Sequence, residues 1–197
     1  MKKTLLLAGV ASLFAMNVNA VEFKPYVGID YTYSQASTND VVVEGVSVPS
    51  ELYEDTFNSF VLNVGAKLNK NFGFEAFYQK SSKEEGQITT LVIGGTPVAT
   101  DKIETSFDAF GLDAQGYLPV NEKFELIGSV GLGKYDFEMK GFGTEASEDE
   151  IGYRLSAGAQ YNINENFALR GMARYVIIDS DAVDDMTEFS IGARYTF

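Results

Sequence analysis

The chain has 197 residues and a formal net charge of −13, with no cysteine, histidine or tryptophan. An acidic chain of this kind lacks the basic surface that nucleic-acid binding needs. Without cysteine or histidine it offers neither disulfides, nor thiolate or imidazole metal ligands, nor the usual general base of hydrolytic enzymes.

The first 20 residues form a unit of their own. Met1-Lys2-Lys3 is a short basic start, Leu5 to Met16 an apolar run, and Val18-Asn19-Ala20 a small-residue cleavage site. They read as a secretory signal peptide that is removed. The expected mature domain is residues 21–197. With Lys2 and Lys3 gone it keeps 13 basic residues against 28 acidic ones, a net of −15.

Eight period-2 segments follow. The first, Tyr26 to Tyr33, alternates Val27, Ile29 and Tyr31 with Gly28, Asp30 and Thr32. The second, about Phe57 to Leu68, sets Phe60, Leu62 and Val64 against Val61, Asn63 and Lys67. The third sets Phe72, Phe74 and Ala76 against Gly73 and Glu75. The fourth sets Phe110, Leu112 and Ala114 against Asp113 and Gln115. The fifth sets Leu126, Gly128 and Val130 against Glu125 and Ser129. The sixth sets Tyr153, Leu155 and Ala157 against Arg154 and Ser156. The seventh sets Phe167, Leu169 and Gly171 against Arg170, Met172 and Arg174. The eighth, Glu188 to Phe197, sets Phe189, Ile191, Ala193, Tyr195 and Phe197 against Glu188, Ser190 and Arg194. A terminal strand with open edges is an aggregation hazard, so the eighth is expected to pair with the first and close a barrel.

The connections alternate in length. Three are short and end in Asn-Lys-Asn-Phe72, Asn-Glu-Lys-Phe124 and Asn-Glu-Asn-Phe167, a weak internal repeat suited to tight turns. Four are longer, at about Ser34–Thr56, Lys80–Ser106, Asp136–Glu150 and Ile177–Met186. Within two of them, Val41–Val43 and Val46–Val48 around Glu44-Gly45, and 87–93 and 97–103 around Gly94-Gly95-Thr96, read as hairpins that would extend the first four strands into a protruding sheet.

Alternation alone leaves open which face is outside, and a soluble lipocalin-like barrel would turn the apolar face inward. Two features favour lipid on the apolar face. Aromatic residues sit at both ends of it, with Leu, Val, Ala and Gly between, as in interfacial girdles. The polar face is charge-balanced: Lys67, Arg154, Arg170, Arg174 and Arg194 match Asp30, Glu75, Asp113, Glu125 and Glu188, as a closed interior requires. The expected fold is all-β, an eight-stranded antiparallel up-and-down transmembrane β-barrel with short periplasmic turns and long extracellular loops.

With its leader, eight amphipathic strands, Asn-x-x-Phe turns and terminal Tyr195-Thr-Phe197, the mature chain resembles the OmpA/OmpX/Opa-type outer-membrane β-barrels. The resemblance implies a place in the bacterial outer membrane among lipid and lipopolysaccharide. It also implies assembly by the barrel-assembly machinery through a C-terminal signal containing Tyr195 and Phe197. The chain ends at Phe197, so the peptidoglycan-binding domain that follows the barrel in OmpA itself is not expected.

No enzyme, cofactor or metal site is expected. Asp184-Asp185 and Glu84-Glu85 read as solvated carboxylates. The acids of the loops, among them Asp40, Glu44, Glu51, Glu54 and Asp55, then Asp179 and Asp181, read either as a repulsive surface or as weak divalent-cation ligands. The interior charges have two readings, an ion-pair network plugging the lumen or the lining of a narrow small-solute pore; a conduit for hydrophobic solutes would not be lined with charge. The expected role is a monomeric, non-enzymatic envelope barrel that presents acidic loops, and an exposed strand edge, to an extracellular protein partner.

Overall fold

The computed structural model describes residues 23–38, 41–43, 46–48, 56–86, 91–93, 96–99, 103–141, 144–178 and 183–197. The expected signal peptide, the turn residues Glu44-Gly45 and Gly94-Gly95, and the loop acids Asp40, Glu44, Glu51, Glu54, Asp55, Asp179 and Asp181 lie outside the described residues.

Eight strands form the barrel: β1 (Lys24–Thr38), β2 (Thr56–Lys67), β3 (Phe72–Ser81), β4 (Ile103–Pro119), β5 (Phe124–Gly141), β6 (Thr144–Asn162), β7 (Phe167–Ile178) and β8 (Val183–Thr196). Each is antiparallel to the next in chain order. β8 also pairs with β1, from Tyr26↔Thr196 to Tyr33↔Phe189 and beyond, so the sheet closes as the terminal strand requires.

The three short turns share one device. The side-chain oxygen of Asn69 accepts from the backbone N–H of Asn71 and Phe72 at 2.8 and 2.9 Å. Asn121 does the same for Lys123 and Phe124, and Asn164 for Asn166 and Phe167. Each asparagine thus replaces a backbone partner at the point where the chain reverses, which explains the Asn-x-x-Phe repeat.

Two sequence expectations need correction. Asp136–Glu150, read as a connection, is strand apart from its tip: β5 and β6 stay paired through Lys140↔Glu145 and Gly141↔Thr144. The carboxylates of this stretch conceal an alternation that continues through Tyr135 and Phe137. β4 likewise begins at Ile103, and Glu84–Gly86 pairs with it. The second correction concerns the small hairpins. Among the described residues Val41–Val43 pairs with Val46–Val48, and Leu91–Ile93 with Thr96–Ala99, as two-stranded sheets separate from the barrel sheet; the stretches that would join them to β1–β4 lie outside the described residues. Among the described residues the longest continuous ladder beyond the band is β5–β6.

The inside–outside choice is plain from exposure. Ile191, Leu112 and Phe60 are exposed by 67, 66 and 62%, while Arg194, Asp30 and Glu75 retain 2% or less. A barrel in water would bury its large apolar side chains and expose its arginines; hydrocarbon surroundings demand the reverse.

Candidate functional site

The structure places Asp30, Glu75, Asp113, Arg154, Arg170, Arg174, Glu188 and Arg194 buried in the barrel interior, with Lys67 and Glu125 half-buried at the short-turn mouth. They form one graded series of pairs. At the mouth, Lys67 Nζ lies 2.6 Å from Glu125 Oε2. Deeper, Glu75 takes Arg170 and Arg194, each at 2.8 Å, and Arg170 turns its other edge to Asp30. Beyond these, Arg154 Nε meets Asp113 Oδ1 at 3.2 Å and Arg174 Nη1 meets Glu188 Oε2 at 2.7 Å. The strand alternation aims these groups into a space that eight strands leave just wide enough for side chains.

Neutral groups complete the network. Asn63 Nδ2 donates to Asp30 at 2.7 Å, and Ser34 and Gln79 donate to Glu188 at 3.0 and 2.8 Å. Arg154 donates to Tyr135 Oη at 2.9 Å, Arg194 to Tyr117 Oη at 3.2 Å, and Tyr117 in turn to Gln115. Arg154 also lies over the Phe77 ring at 3.4 Å, and Arg194 over the Tyr26 ring at 3.9 Å. Sequence reasoning does not assign Tyr26, Gln115, Tyr117 and Tyr135 to the site; inward register positions are the signal available for them.

Inward glycines make room for this packing. A Cβ on Gly192 would overlap Asp30 Oδ1, and one on Gly131 would overlap Asp113 Oδ1. Outward Gly128 and Gly171 meet nothing closer than 3.9 and 3.8 Å.

The lumen is not polar throughout. Above the charged tier, toward the long hairpins, Phe57, Val61, Phe77, Phe107, Val176 and Met186 form a buried apolar cluster together with Tyr135. Phe107 meets Phe57 edge-on at 5.4 Å. Several of these residues fall in stretches read from sequence as loops or strand ends. At the opposite mouth an open vestibule of about 860 Å³ lies among the short turns, with Lys67, Glu125 and Gln160 among its lining residues.

A sequence model describing the outer membrane protein β-barrel domain matches residues 4–197. The chain belongs to this family. No curated protein matches it by sequence. Among solved structures it is similar to the Neisserial surface protein A (18% identity, 88% of this chain and 97% of that one, TM-score 0.65). It is similar also to Ail, the attachment invasion locus protein of Yersinia pestis (20%, 89% and 99%, TM-score 0.58), and to the outer membrane protein OprG of Pseudomonas aeruginosa (15%, 88% and 96%, TM-score 0.58). At these identities the likeness is one of fold. The protein is a bacterial outer-membrane β-barrel, and by the architecture of such barrels its short turns face the periplasm.

The outer boundary of the membrane is written on the barrel's outside. Just beyond the girdle residues Tyr78, Phe110 and Tyr153, the outward positions turn ionic. Lys80 pairs with Asp108 at 3.0 Å, and Lys134 with Asp149 at 2.6 Å and Asp136 at 3.3 Å. On β5 the apolar band from Phe124 to Lys134 spans about 25 Å, from a strand rise of about 3.4 Å and a tilt of about 40°. In the ionic row, a hydrogen bond shared with Asp136, and Lys134 beside it, hold the Asp149 carboxyl below the usual range. The same shared bond pushes Asp136 up.

Proposed function

We propose that the protein is a non-enzymatic envelope barrel whose lumen is plugged, and that its contacts with the outside are made by its acidic hairpins and loops. The observation that carries the plug is that all five interior cations are matched to interior carboxylates, beneath a tier of buried aromatic and aliphatic side chains. A charged lumen without the apolar tier would suit a narrow pore, and the vestibule would be its periplasmic entrance. Planar-bilayer recording of the refolded protein decides between the two. A silent barrel supports the plug; stable unitary openings overturn it in favour of the pore.

The surface role rests on charge and on the family. Ail has been solved in complex with the heparin analogue sucrose octasulfate. The connections of this chain carry mainly carboxylates, for example Asp40, Glu44, Glu51, Glu54 and Asp55 with no basic residue among them. A polyanion would be repelled here, so the extracellular partner of this barrel belongs to a different chemical class. Tyr195 and Phe197, ring to ring at 5.1 Å and with Phe167 against Tyr195 at 4.9 Å, form the aromatic end that we assign to recognition by the assembly machinery. Outer-membrane lipid and lipopolysaccharide surround the band, and among the described residues a monomer pairs every strand on both sides within that band.

A further inference from the structure

At its periplasmic end the outside of the barrel is grooved. The floor is a cross-strand row, Gly116, Gly128 and Ala157 on β4, β5 and β6. Phe72 of β3 stands beside Gly116 at one end of the row. Leu118 and Leu126, opposite each other, stand one outward position nearer the short turns. Together with Asn71 they bound an open space of about 650 Å³ within the apolar band.

The packing of the barrel does not account for the two glycines. Glycine inside a strand weakens it and often marks a place that a ligand approaches closely. The inward Gly192 and Gly131 make room for Asp30 and Asp113, but a Cβ on Gly116 or Gly128 would meet only a carbonyl oxygen, at 3.8 or 3.9 Å. Larger apolar side chains would fit at both positions and suit hydrocarbon. The recess is thus open toward the lipid without an internal reason.

The rim adds charge. The turns that end against the groove, 69–71 and 120–123, carry Lys70 and Lys123, between the groove and the vestibule. Both are exposed, and neither forms an ion pair among the described residues. Glu122 is the one carboxylate on these turns, and nearby Glu125 is taken by Lys67. The rim is therefore cationic beside an apolar recess, on a chain that is acidic as a whole. A second barrel makes a poor occupant, because its outer face is convex and its band is apolar.

We propose that the groove seats an acyl chain of an anionic glycerophospholipid of the periplasmic leaflet, whose phosphate lies between Lys70 and Lys123. The inference rests on the reading that lipid surrounds the band, and it singles out one place in that band. An acyl chain gains nothing hydrophobic by moving from lipid to protein, so close van der Waals contact with the recess holds it. Charge holds the headgroup, with about a fivefold preference for anionic lipid from each lysine.

The test places the refolded barrel in nanodiscs of phosphatidylethanolamine with a minor share of phosphatidylglycerol that bears a photoreactive group on its acyl chain. Cross-links mapped by mass spectrometry should concentrate on 116–118, 126–128 and 157. Phosphatidylethanolamine bearing the same group should label these positions about fivefold more weakly, or less. Lys70→Gln with Lys123→Gln should remove that difference, and Glu122→Gln should enlarge it. Gly128→Leu fills the floor and should abolish labelling of the groove while electrophoretic heat-modifiability stays unchanged; should that variant fail to assemble, the pattern in the unaltered protein decides. Label spread evenly to Ile29, Leu62 and Ile191 would overturn the proposal and leave the lipid-facing band in place, whereas outward positions that take no label at all would overturn both. Equal labelling by the two lipids, or barrel-to-barrel cross-links through the groove, would also overturn it.

Discussion

Glu75 is where the interior network is most sensitive. Its carboxylate accepts from Arg170 Nη1 at 3.0 and 2.8 Å and from Arg194 Nη2 at 2.8 Å. All three side chains retain 2% exposure or less. Glu75→Gln preserves shape and removes the charge. Arg170 then keeps Asp30, but Arg194 is left with neutral acceptors, Tyr117 Oη at 3.2 Å and Gln115 Oε1 at 3.4 Å. At 4 Å and an effective dielectric constant near 20 each lost pair is worth about 4 kcal/mol before solvation is counted. Breaking one partner of a buried pair costs about 3–5 kcal/mol in practice, and that is the destabilisation expected. Adding Arg194→Met restores neutrality, because Arg170 and Asp30 then remain as a matched pair beside an uncharged side chain at position 75. The double variant should therefore be more stable than Glu75→Gln alone, with a coupling of about 1–3 kcal/mol. With no tryptophan in the chain, urea unfolding in bilayers is best followed by far-ultraviolet circular dichroism and electrophoretic mobility. A loss under about 0.5 kcal/mol for the single variant, or strict additivity in the double, would refute the picture of a tightly packed, charge-matched interior.

Three further outcomes follow from the same structure. Gly192→Ala should destabilise by about 1–3 kcal/mol, because the new methyl meets Asp30 Oδ1 and the Ile29 carbonyl, whereas Gly128→Ala on the lipid side should change the unfolding midpoint little. Val130→Arg, in the middle of the exposed band, should cost about 2–4 kcal/mol in bilayers; a neutral result would mean that this face does not meet hydrocarbon. Phe107→Ala should cost about 3–5 kcal/mol, as it opens the apolar cluster between Phe57, Tyr135 and Phe137, and denaturant titration measures it directly.

Much of this was legible in the chain because a barrel strand enclosed on one face and wet by lipid on the other has a strict period of two. That period assigned Arg170 and Glu75 to one side and Leu169 and Phe74 to the other, and charge balance identified the side that had to be enclosed. The repeat Asn-x-x-Phe marked the three reversals, since an asparagine side chain can cap such a turn. Pattern failed beyond the membrane. From Asp136 to Glu150 the carboxylates resemble a loop, because nothing apolar surrounds the outer face of a hairpin in water, yet the ladder continues.

What required the tertiary structure is which charges meet. Strands distant in sequence face one another across the lumen, so Arg170 reaches Asp30 on β1 and Glu75 on β3 while Arg194 shares the same Glu75. Strand stagger, not sequence spacing, determines that choice. The apolar tier above the network is likewise a product of closure: it gathers side chains of β2, β4, β7 and β8, and no single strand records what it will meet across the lumen.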